Sequence, residues 1–505
     1  MQVKDNTPIL IGAGQKTWRE TDTNRTPIDA LQAACSAALA DAGGNEVADA
    51  VDTIGTVRFI ADASPGGGAV FPRNPGIELA ARLGITDPAL FLGFLGGNSP
   101  QYLVNYFANQ LADGQREVVL LAGAELLATF FSALRTGGDI AEWAGNTRSE
   151  PTVIGKEKDG CTALETAHGM FEPINTYPLF ENSLRHHQGL DQRAHTGLIA
   201  DLSSRMSQVA ADNPLAWHQK ARTAQQIQTV EKKNRYIGFP YTRAMNPVLE
   251  VDMAAAVVMT TVGKARKLGV DPQQWVYLRG GADANDSWYV SERASLHDSP
   301  AIAAAWHSVR EQSSINLDEI GHFDIYSCFP SAVQVSCRAL GLSPLDPRGV
   351  TVTGGLPFFG GPGNNYSLHA ICEMISKLRN SGGHGLVTAN GYYLTKHSLG
   401  LYSAEAPTDD WQPLNSAPLQ NALDKLPLVP VATQYCGEAT LESYTVCFDR
   451  EGPKRGLILA RNSAGERIVA NTDLADNTLE QLMQRDPIGQ KGSISQQDGI
   501  NLFAF

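Results

Sequence analysis

Gly96-Gly97-Asn98-Ser99-Pro100 opens a helical stretch that ends near Gly114 and feeds the apolar run Val118-Val119-Leu120-Leu121-Ala122-Gly123. Far downstream the pattern returns. Gly360-Gly361-Pro362-Gly363-Asn364-Asn365 opens a helix carrying Leu368, Ile371, Cys372, Ile375 and Leu378, which leads into Gly385-Leu386-Val387-Thr388-Ala389-Asn390-Gly391. A glycine turn, a helix and an apolar strand that recur in one chain resemble an internal duplication. Two such halves bring two helix N-termini to one interface, where free N–H groups and positive dipole ends suit oxyanions and carbonyl oxygens.

Outward from these repeats, β/α alternation fills both flanks. A strand over 8–13 runs into a glycine-rich turn, and a helix follows with Thr26 as cap, Pro27 in its first turn and Gly43 as its stop. Strands over 53–60, 89–94 and 117–122 alternate with helices over 77–83 and 101–111. The continuously apolar 118–122 reads as a strand of a parallel sheet covered on both faces. After residue 125 the rhythm loosens into a polar excursion up to about 247. It is restored by an alanine-rich helix over 251–268 and a strand over 275–280. A second series has helices at 301–310, from Pro330 and from Asn364, and strands at 322–326, 350–353 and 385–389. Residues 404–431 hold five prolines and read as a connection. Alternating segments at 441–448, 455–461, 466–470 and 492–505, with a short helix at 479–483, read as a small β-rich unit.

Composition narrows the function classes. The 505 residues are 43% hydrophobic and 18% charged, enough for two or three cores. A net charge of −13 argues against nucleic-acid binding, which needs clustered bases. The segment 183–235 runs the other way, with eight Lys/Arg against four acids. It is either a solvated helical face or the receiver of an anionic ligand. Seven scattered cysteines with no C-x-x-C pair fit a reducing, cytoplasmic setting, and no secretory leader or membrane span is expected. No metal site is indicated, since His186, His187 and His195 lack a completing ligand set.

Four stretches together resemble the thiolase superfamily: Gly97-Asn98-Ser99-Pro100, Asn246 to Ala255 with Asp252, Phe323 to Phe329, and Gly354-Gly355 with Phe359 to Gly363. The appended β-rich tail resembles the thiolase-like protein type 1 branch, often labelled acetyl-CoA acetyltransferase. The implied fold class is α/β, with duplicated βαβαβαββ halves, a long loop domain and a small barrel-like C-terminal domain. The implied division is 1–125 plus 247–273 for one half, 126–246 for the loop domain, 274–403 for the other half, 404–430 as linker and 431–505 as the extra domain. The implied ligand is coenzyme A or an acyl-CoA, with no permanently bound cofactor. The implied assembly is a homodimer through the sheet domains, or a monomer if the extra domain blocks that face.

The departures from the family pattern bear on chemistry. A thiolase needs an acyl-accepting cysteine, a second cysteine to move the α-proton and a histidine-centred oxyanion site. Here those places fall to Gly97, Asn390 and Gly361, and Tyr326 stands for the motif asparagine. Ser99 is either a nucleophile, with His369 or His397 as base, or a helix cap. Asn98, Asn364 and Asn390 are candidate amide donors to a thioester carbonyl. Arg185, Arg193 and Arg235 are expected to face the nucleotide end of CoA, with Gly97, Gly361 and Asn364 lining its reactive end. Tyr326 and Tyr366 open a different expectation, acid–base cleavage of a β-hydroxyacyl-CoA by retro-aldol chemistry. A non-catalytic CoA-binding module is the third.

Overall fold

The computed structural model describes residues 3–63, 70–145, 149–472 and 478–505, so Met1 and Gln2 of the leader reading lie outside it. The strand Pro8–Trp18 (β1) continues straight through Gly12 and Gly14, where a turn was expected. These glycines let the helix Pro27–Ala42 (α1) lie directly on the strand. A Cβ on Gly12 would stand 2.7 Å from Ala42 Cβ, and one on Gly14 2.9 Å from Ala37 Cβ. Thr26 and Asp29 close a capping box on α1.

Thr53–Thr56 (β2), Pro75–Leu83 (α2), Ala89–Gly93 (β3), Ser99–Ala112 (α3) and Val118–Leu126 (β4) follow in the expected order. Residues 251–268 correct the sequence reading, for they form the strand Asp252–Thr261 (β5) and only then one helical turn and a half, Val262–Lys267. Alanine favours helices in isolation. Here β5 pairs antiparallel with β1 and β4, and its small side chains let layers of helices close on both faces. Tertiary burial overrides propensity.

The excursion holds two long helices, Pro173–His187 (α4) and Gln192–Asp212 (α5). The second series is Val276–Asn285 (β6), Pro300–Ser313 (α6), Ile320–Asp324 (β7), Pro330–Leu340 (α7), Tyr366–Ser381 (α8), His384–Gly391 (β8) and Lys396–Ser403 (β9). The sheet order is β7-β8-β9-β6-β1-β5-β4-β2-β3, with Thr152–Ile154 added beside β3. The duplication shows in the pairing itself. β2 and β4 are parallel, β4 and β5 antiparallel, β5 and β1 antiparallel; β7 and β8, β8 and β9, and β9 and β6 repeat that series. The sheet is therefore mixed: β4, read as a strand of a parallel sheet, is parallel to β2 and antiparallel to β5. Within the sheet the two halves are joined where Ile9 and Leu10 pair with Tyr277 and Val276.

The expected strand at 350–353 is absent. Its donors go to one carboxylate instead: Asp324 accepts from Val352 N (3.0 Å), Thr353 N (3.1 Å), Thr351 Oγ1 (2.9 Å) and Thr353 Oγ1 (3.0 Å). Backbone groups satisfied by a side chain have no call on a neighbouring strand.

The tail closes a five-stranded barrel from Gly437–Phe448 (β10), Pro453–Arg461 (β11), Arg467–Thr472 (β12), Lys491–Gln497 (β13) and Ile500–Ala504 (β14). The order is β10-β11-β12-β14-β13 and back to β10, with Thr478–Gln484 (α9) between β12 and β13. That connectivity is an OB-fold barrel. Phe239, from the excursion, enters its core beside Tyr444 and Phe503. The barrel is tied to α4 by Asn182 Nδ2, which donates to Tyr444 O (2.9 Å) and Phe239 O (3.2 Å). Among the described residues no helix is long and apolar enough to cross a membrane.

Candidate functional site

The two glycine turns meet at the junction of the two series. Gly96 N donates to Asn364 Oδ1 (3.0 Å), and Ser367 Oγ donates to Gly97 O (2.7 Å). The N-termini of α3 and α8 thus face one another across hydrogen-bonded loops. Around this junction stand Tyr326 after β7, Asn390 in β8 and Lys396 at the start of β9.

Gly97 stands where the sequence resemblance puts an acyl-accepting cysteine, and the structure leaves no space for a side chain there. A Cβ there would lie 2.7 Å from Asn390 O and 2.8 Å from Tyr326 Cζ, and nearer still to the tyrosine hydroxyl. Tyr326 is 7% exposed, its hydroxyl proton held tightly by burial. Its ring meets Tyr366 edge-on at 5.4 Å. Tyr366 Oη donates to Asp324 Oδ1 (3.0 Å) and shares a 2.6 Å contact with Thr353 Oγ1. Tyr366 is completely buried, so it serves the Asp324 knot and offers no group to a substrate.

The serine-nucleophile reading is corrected. Ser99 is the first residue of α3 and is fully buried, and its Oγ has no hydrogen-bond partner among the described residues. It lies against Gly93 of β3. No histidine is in reach of it. His369 Nδ1 bonds to Gln15 Oε1 (2.8 Å), while His397 Nε2 sits 3.1 Å from both Asp286 Oδ2 and Leu394 O. Nor does Ser99 cap its helix, since Asn98 occupies the cap position without a side-chain bond.

The amide donors are corrected in a more informative way. Asn98 Nδ2 donates to Ser398 Oγ (3.3 Å), Asn364 Nδ2 to Arg58 O (2.9 Å) and Asn390 Nδ2 to Tyr177 Oη (2.8 Å). What Asn98 and Asn390 leave free is their buried carbonyl oxygens, which have no donor among the described residues. An unsatisfied buried acceptor costs about 1–3 kcal/mol, and native structures keep such groups where strain, catalysis or a bridging water or ion accounts for them. The junction therefore offers hydrogen-bond acceptors, where the sequence reading looked for donors. Asn365 Oδ1 and Glu125 Oε2 behind it are likewise unpartnered.

Gly361 faces Val248 O, Leu249 and Leu356 at 3.4–3.5 Å from a built Cβ, so the oxyanion histidine's place borders an apolar wall. Cys328 is 8% exposed, and burial pushes its thiol up to about 12. A thiol held there supplies almost no thiolate at neutral pH.

The three arginines do not converge. Arg185, expected to face the nucleotide end of CoA, is 2% exposed and paired with Asp486 of the C-terminal domain (2.8 Å). It lines an open cleft of about 580 Å³ together with Arg193, Arg485 and Asp191. Arg235 lies elsewhere, its guanidinium on Tyr236 O (2.8 Å). Among the described residues no group of three His, Cys, Asp or Glu is placed to hold a metal.

Lys396 escaped the sequence reading because β9 itself did. It is 4% exposed, donates to Leu95 O, and lies 4.5 Å from the Phe94 ring centre and 4.1 Å from that of Tyr392. The available signal was a lysine beginning the strand that follows the second glycine-motif strand.

His369 carries a pH prediction. Burial pushes its imidazole down from 6.5 to about 3. The folded state then binds fewer protons than the unfolded state between those values, so folding loses free energy as pH falls from about 6.5 toward 3. Urea midpoints across that window are expected to fall in the wild type, and His369→Gln is expected to flatten that portion of the fall by a few kcal/mol at its acid end.

Comparison with known proteins agrees with the fold. The tail, residues 418–499, matches the family model of the thiolase-like protein type 1 additional C-terminal domain. A search of curated proteins gave no match. Among solved structures, a monomeric SCP2-thiolase-like protein type 1 from Mycobacterium smegmatis is 34% identical over 100% of both chains, with a TM-score of 0.84. An Ltp2-ChsH2(DUF35) aldolase is 19% identical over 79% of this chain and 98% of that one, with a TM-score of 0.58. The Acat5 thiolase from Ascaris suum in complex with coenzyme A is 15% identical over 79% and 99%, with a TM-score of 0.55. The last two share the fold alone.

Proposed function

The chain belongs to the SCP2-thiolase-like protein type 1 family, and from that membership we propose that it binds coenzyme A thioesters at the junction of its two halves and handles them without a cysteine-bound acyl group. The observation that carries this reading is Tyr326 packed on Gly97: the nucleophile's place is occupied, while the two helix ends that surround it are kept. A thiolase of the same fold takes coenzyme A, which supports the ligand class.

The cleft beside Arg193 and Arg485 suits the phosphate end of the ligand. Tyr177 and Arg185 stand eight residues apart on α4, which spans about 12 Å at the helical rise; Tyr177 touches Asn390 at the junction and Arg185 lines the cleft. A pantetheine arm has the length to bridge them.

The proposed state is monomeric. Thr152–Ile154 pairs parallel with β3 and covers a sheet edge that an unpaired strand would offer to a second copy. The monomeric relative agrees. Seven unpaired cysteines support a reducing, cytoplasmic setting.

A second reading, retro-aldol cleavage of a β-hydroxyacyl-CoA, is favoured by the free acceptors of Asn98 and Asn390, which suit a substrate that donates a hydroxyl, and by Tyr326 as acid. An aldolase shares the fold. Two assays separate the readings. Incubation with acetyl-CoA followed by intact-mass analysis is expected to show no acylated chain, and acetoacetyl-CoA is expected to survive added CoA; an acyl adduct or thiolysis would overturn the first reading. Loss of turnover of a β-hydroxyacyl-CoA in Tyr326→Phe would establish the second, and binding with no turnover of any thioester would leave a CoA-binding module.

A further inference from the structure

Lys396 is a buried amine without a carboxylate. Among the described residues no acid forms an ion pair with it, and its surroundings are a carbonyl and two aromatic faces. Structural lysines at this depth are normally paired, because an unpaired buried charge costs several kcal/mol. The nearest acid, Glu157, is engaged with Leu95 N (2.7 Å) and lies 3.9 Å from Arg58.

The amine of Lys396, at the start of β9, sits beside the turn that carries Gly97. A Cβ on Gly96 would fall 2.9 Å from Lys396 Nζ and 2.9 Å from Asn98 Oδ1, and one on Gly97 would meet Tyr326. The two-glycine turn is thus flanked by an amine and an unpartnered acceptor on one side and by a phenol on the other. The segment 155–160, which begins and ends in glycine, reaches the same residue as the amine, Glu157 bonding to Leu95 N and Lys396 to Leu95 O. It is pinned lightly: Glu157 to Leu95 N, Asp159 O to Trp288 Nε1 (2.7 Å), and Lys158 over the Trp288 and Tyr289 rings. Residues 155 to 159 are exposed while Lys396 is not.

We infer that Lys396 is the nucleophile of this site and forms an imine with a ketone or aldehyde carbon of a substrate seated at the Gly96–Gly97 turn. The inference deepens the proposed function and rests on it for the seat of the substrate. The nitrogen lone pair adds to the carbonyl carbon, and the two amine hydrogens leave with the carbonyl oxygen as water, so a C=N bond replaces C=O and NH₂. Asn98 Oδ1 is placed to accept the hydroxyl of the intermediate carbinolamine. Once protonated, the imine takes up the electrons of the bond between its α- and β-carbons and becomes an enamine, which is the activation that a β-hydroxy ketone carried on an acyl chain needs to release its β-carbon as an aldehyde while the hydroxyl gives up its proton.

Burial favours the reactive form. It brings the amine down from 10.5 to about 8 against the pull of Glu157, so on the order of a hundredfold more of it is neutral at pH 7 than of an exposed lysine. Tyr392 faces it as a neutral ring, its phenol raised to about 12 by burial and by Glu157, Asp159 and Cys161.

The test treats the full-length chain at pH 7 with acetaldehyde and sodium cyanoborohydride, which reduces an imine to a stable secondary amine, and maps the modified lysines by mass spectrometry. Lys396 is expected to gain its ethyl group about tenfold faster than surface lysines, with a rate rising to a midpoint near pH 8. Lys396→Arg is expected to remove that one adduct and keep the others, with circular dichroism reporting its fold. Labelling of Lys396 no faster than the surface overturns the inference, and because that readout uses the wild-type chain it stands even if the variant misfolds. Repeating the trap with acetoacetyl-CoA and with free acetoacetate isolates the other premise. Equal rates would remove the CoA reading while leaving the lysine assignment, whereas faster labelling by the CoA thioester supports both.

Discussion

Replacing Asp324 with alanine is expected to cost about 3–5 kcal/mol, the range for stripping a buried charged hub of its partners. Asp324 is fully buried, and five donor bonds converge on it, from Thr351, Val352, Thr353 (backbone and side chain) and Tyr366. Alanine removes the acceptor and leaves every donor in a dry interior, where each unmet group keeps its desolvation penalty. The loss also reaches the site. The 351–355 segment carries Gly354 and Gly355, whose positive φ values of 113° and 78° and close approach to Ala210 and Met206 depend on its being held. Tyr366 loses its anchor at the same time, and with it the edge contact that seats Tyr326. Asp324→Asn keeps one acceptor oxygen and is expected to lose far less. Urea unfolding of both variants measures the difference; equal midpoints for Asp324→Ala and the wild type would show that the knot holds nothing.

Placing cysteine at Gly97 is expected to destabilise the chain by about 1–3 kcal/mol and to restore no thiolysis. The backbone there is outside the left-handed region, so the penalty is one of space: any Cβ meets Tyr326 and the Asn390 carbonyl. Both obstacles are firm, since Tyr326 is wedged against Tyr366 and Asn390 O belongs to a sheet strand. Adding Tyr326→Ala to Gly97→Cys is expected to return part of the stability, because the ring's volume then accommodates the thiol. A single Gly97→Cys variant as stable as the wild type, or one that cleaves acetoacetyl-CoA, would show that the position is open.

The repeat of Gly96–Gly97 and Gly360–Gly363 was legible in the sequence because glycine stands where side chains such as Lys396, Tyr326, Met253 and Glu125 crowd the backbone, and the two turns hydrogen-bond across the halves. The alanine-rich β5 was not legible. Ala254, Ala255 and Ala256 are small so that helices can approach a central strand, and a sequence shows smallness without showing what approaches. The candidate residues split along a similar line. That Gly97, Gly361 and Asn390 replace reactive side chains is plain from residue identity alone. Which way Asn98 and Asn390 turn their amides, and that Ser99 and His369 never meet, depend on partners hundreds of residues distant, such as Ser398 for Asn98. Lys396 illustrates the limit best: its neighbours in sequence, Thr395 and His397, say nothing of the Phe94 and Leu95 that enclose it.

The central claim, that the junction seats a coenzyme A thioester without acylating the chain, is tested most directly by titrating acetyl-CoA into the full-length protein in a calorimeter. Saturable one-to-one heat that is weakened when Arg193 and Arg485 are both changed to glutamate is the predicted result; the absence of any binding heat would contradict the claim and leave these residues with a fold and no CoA ligand.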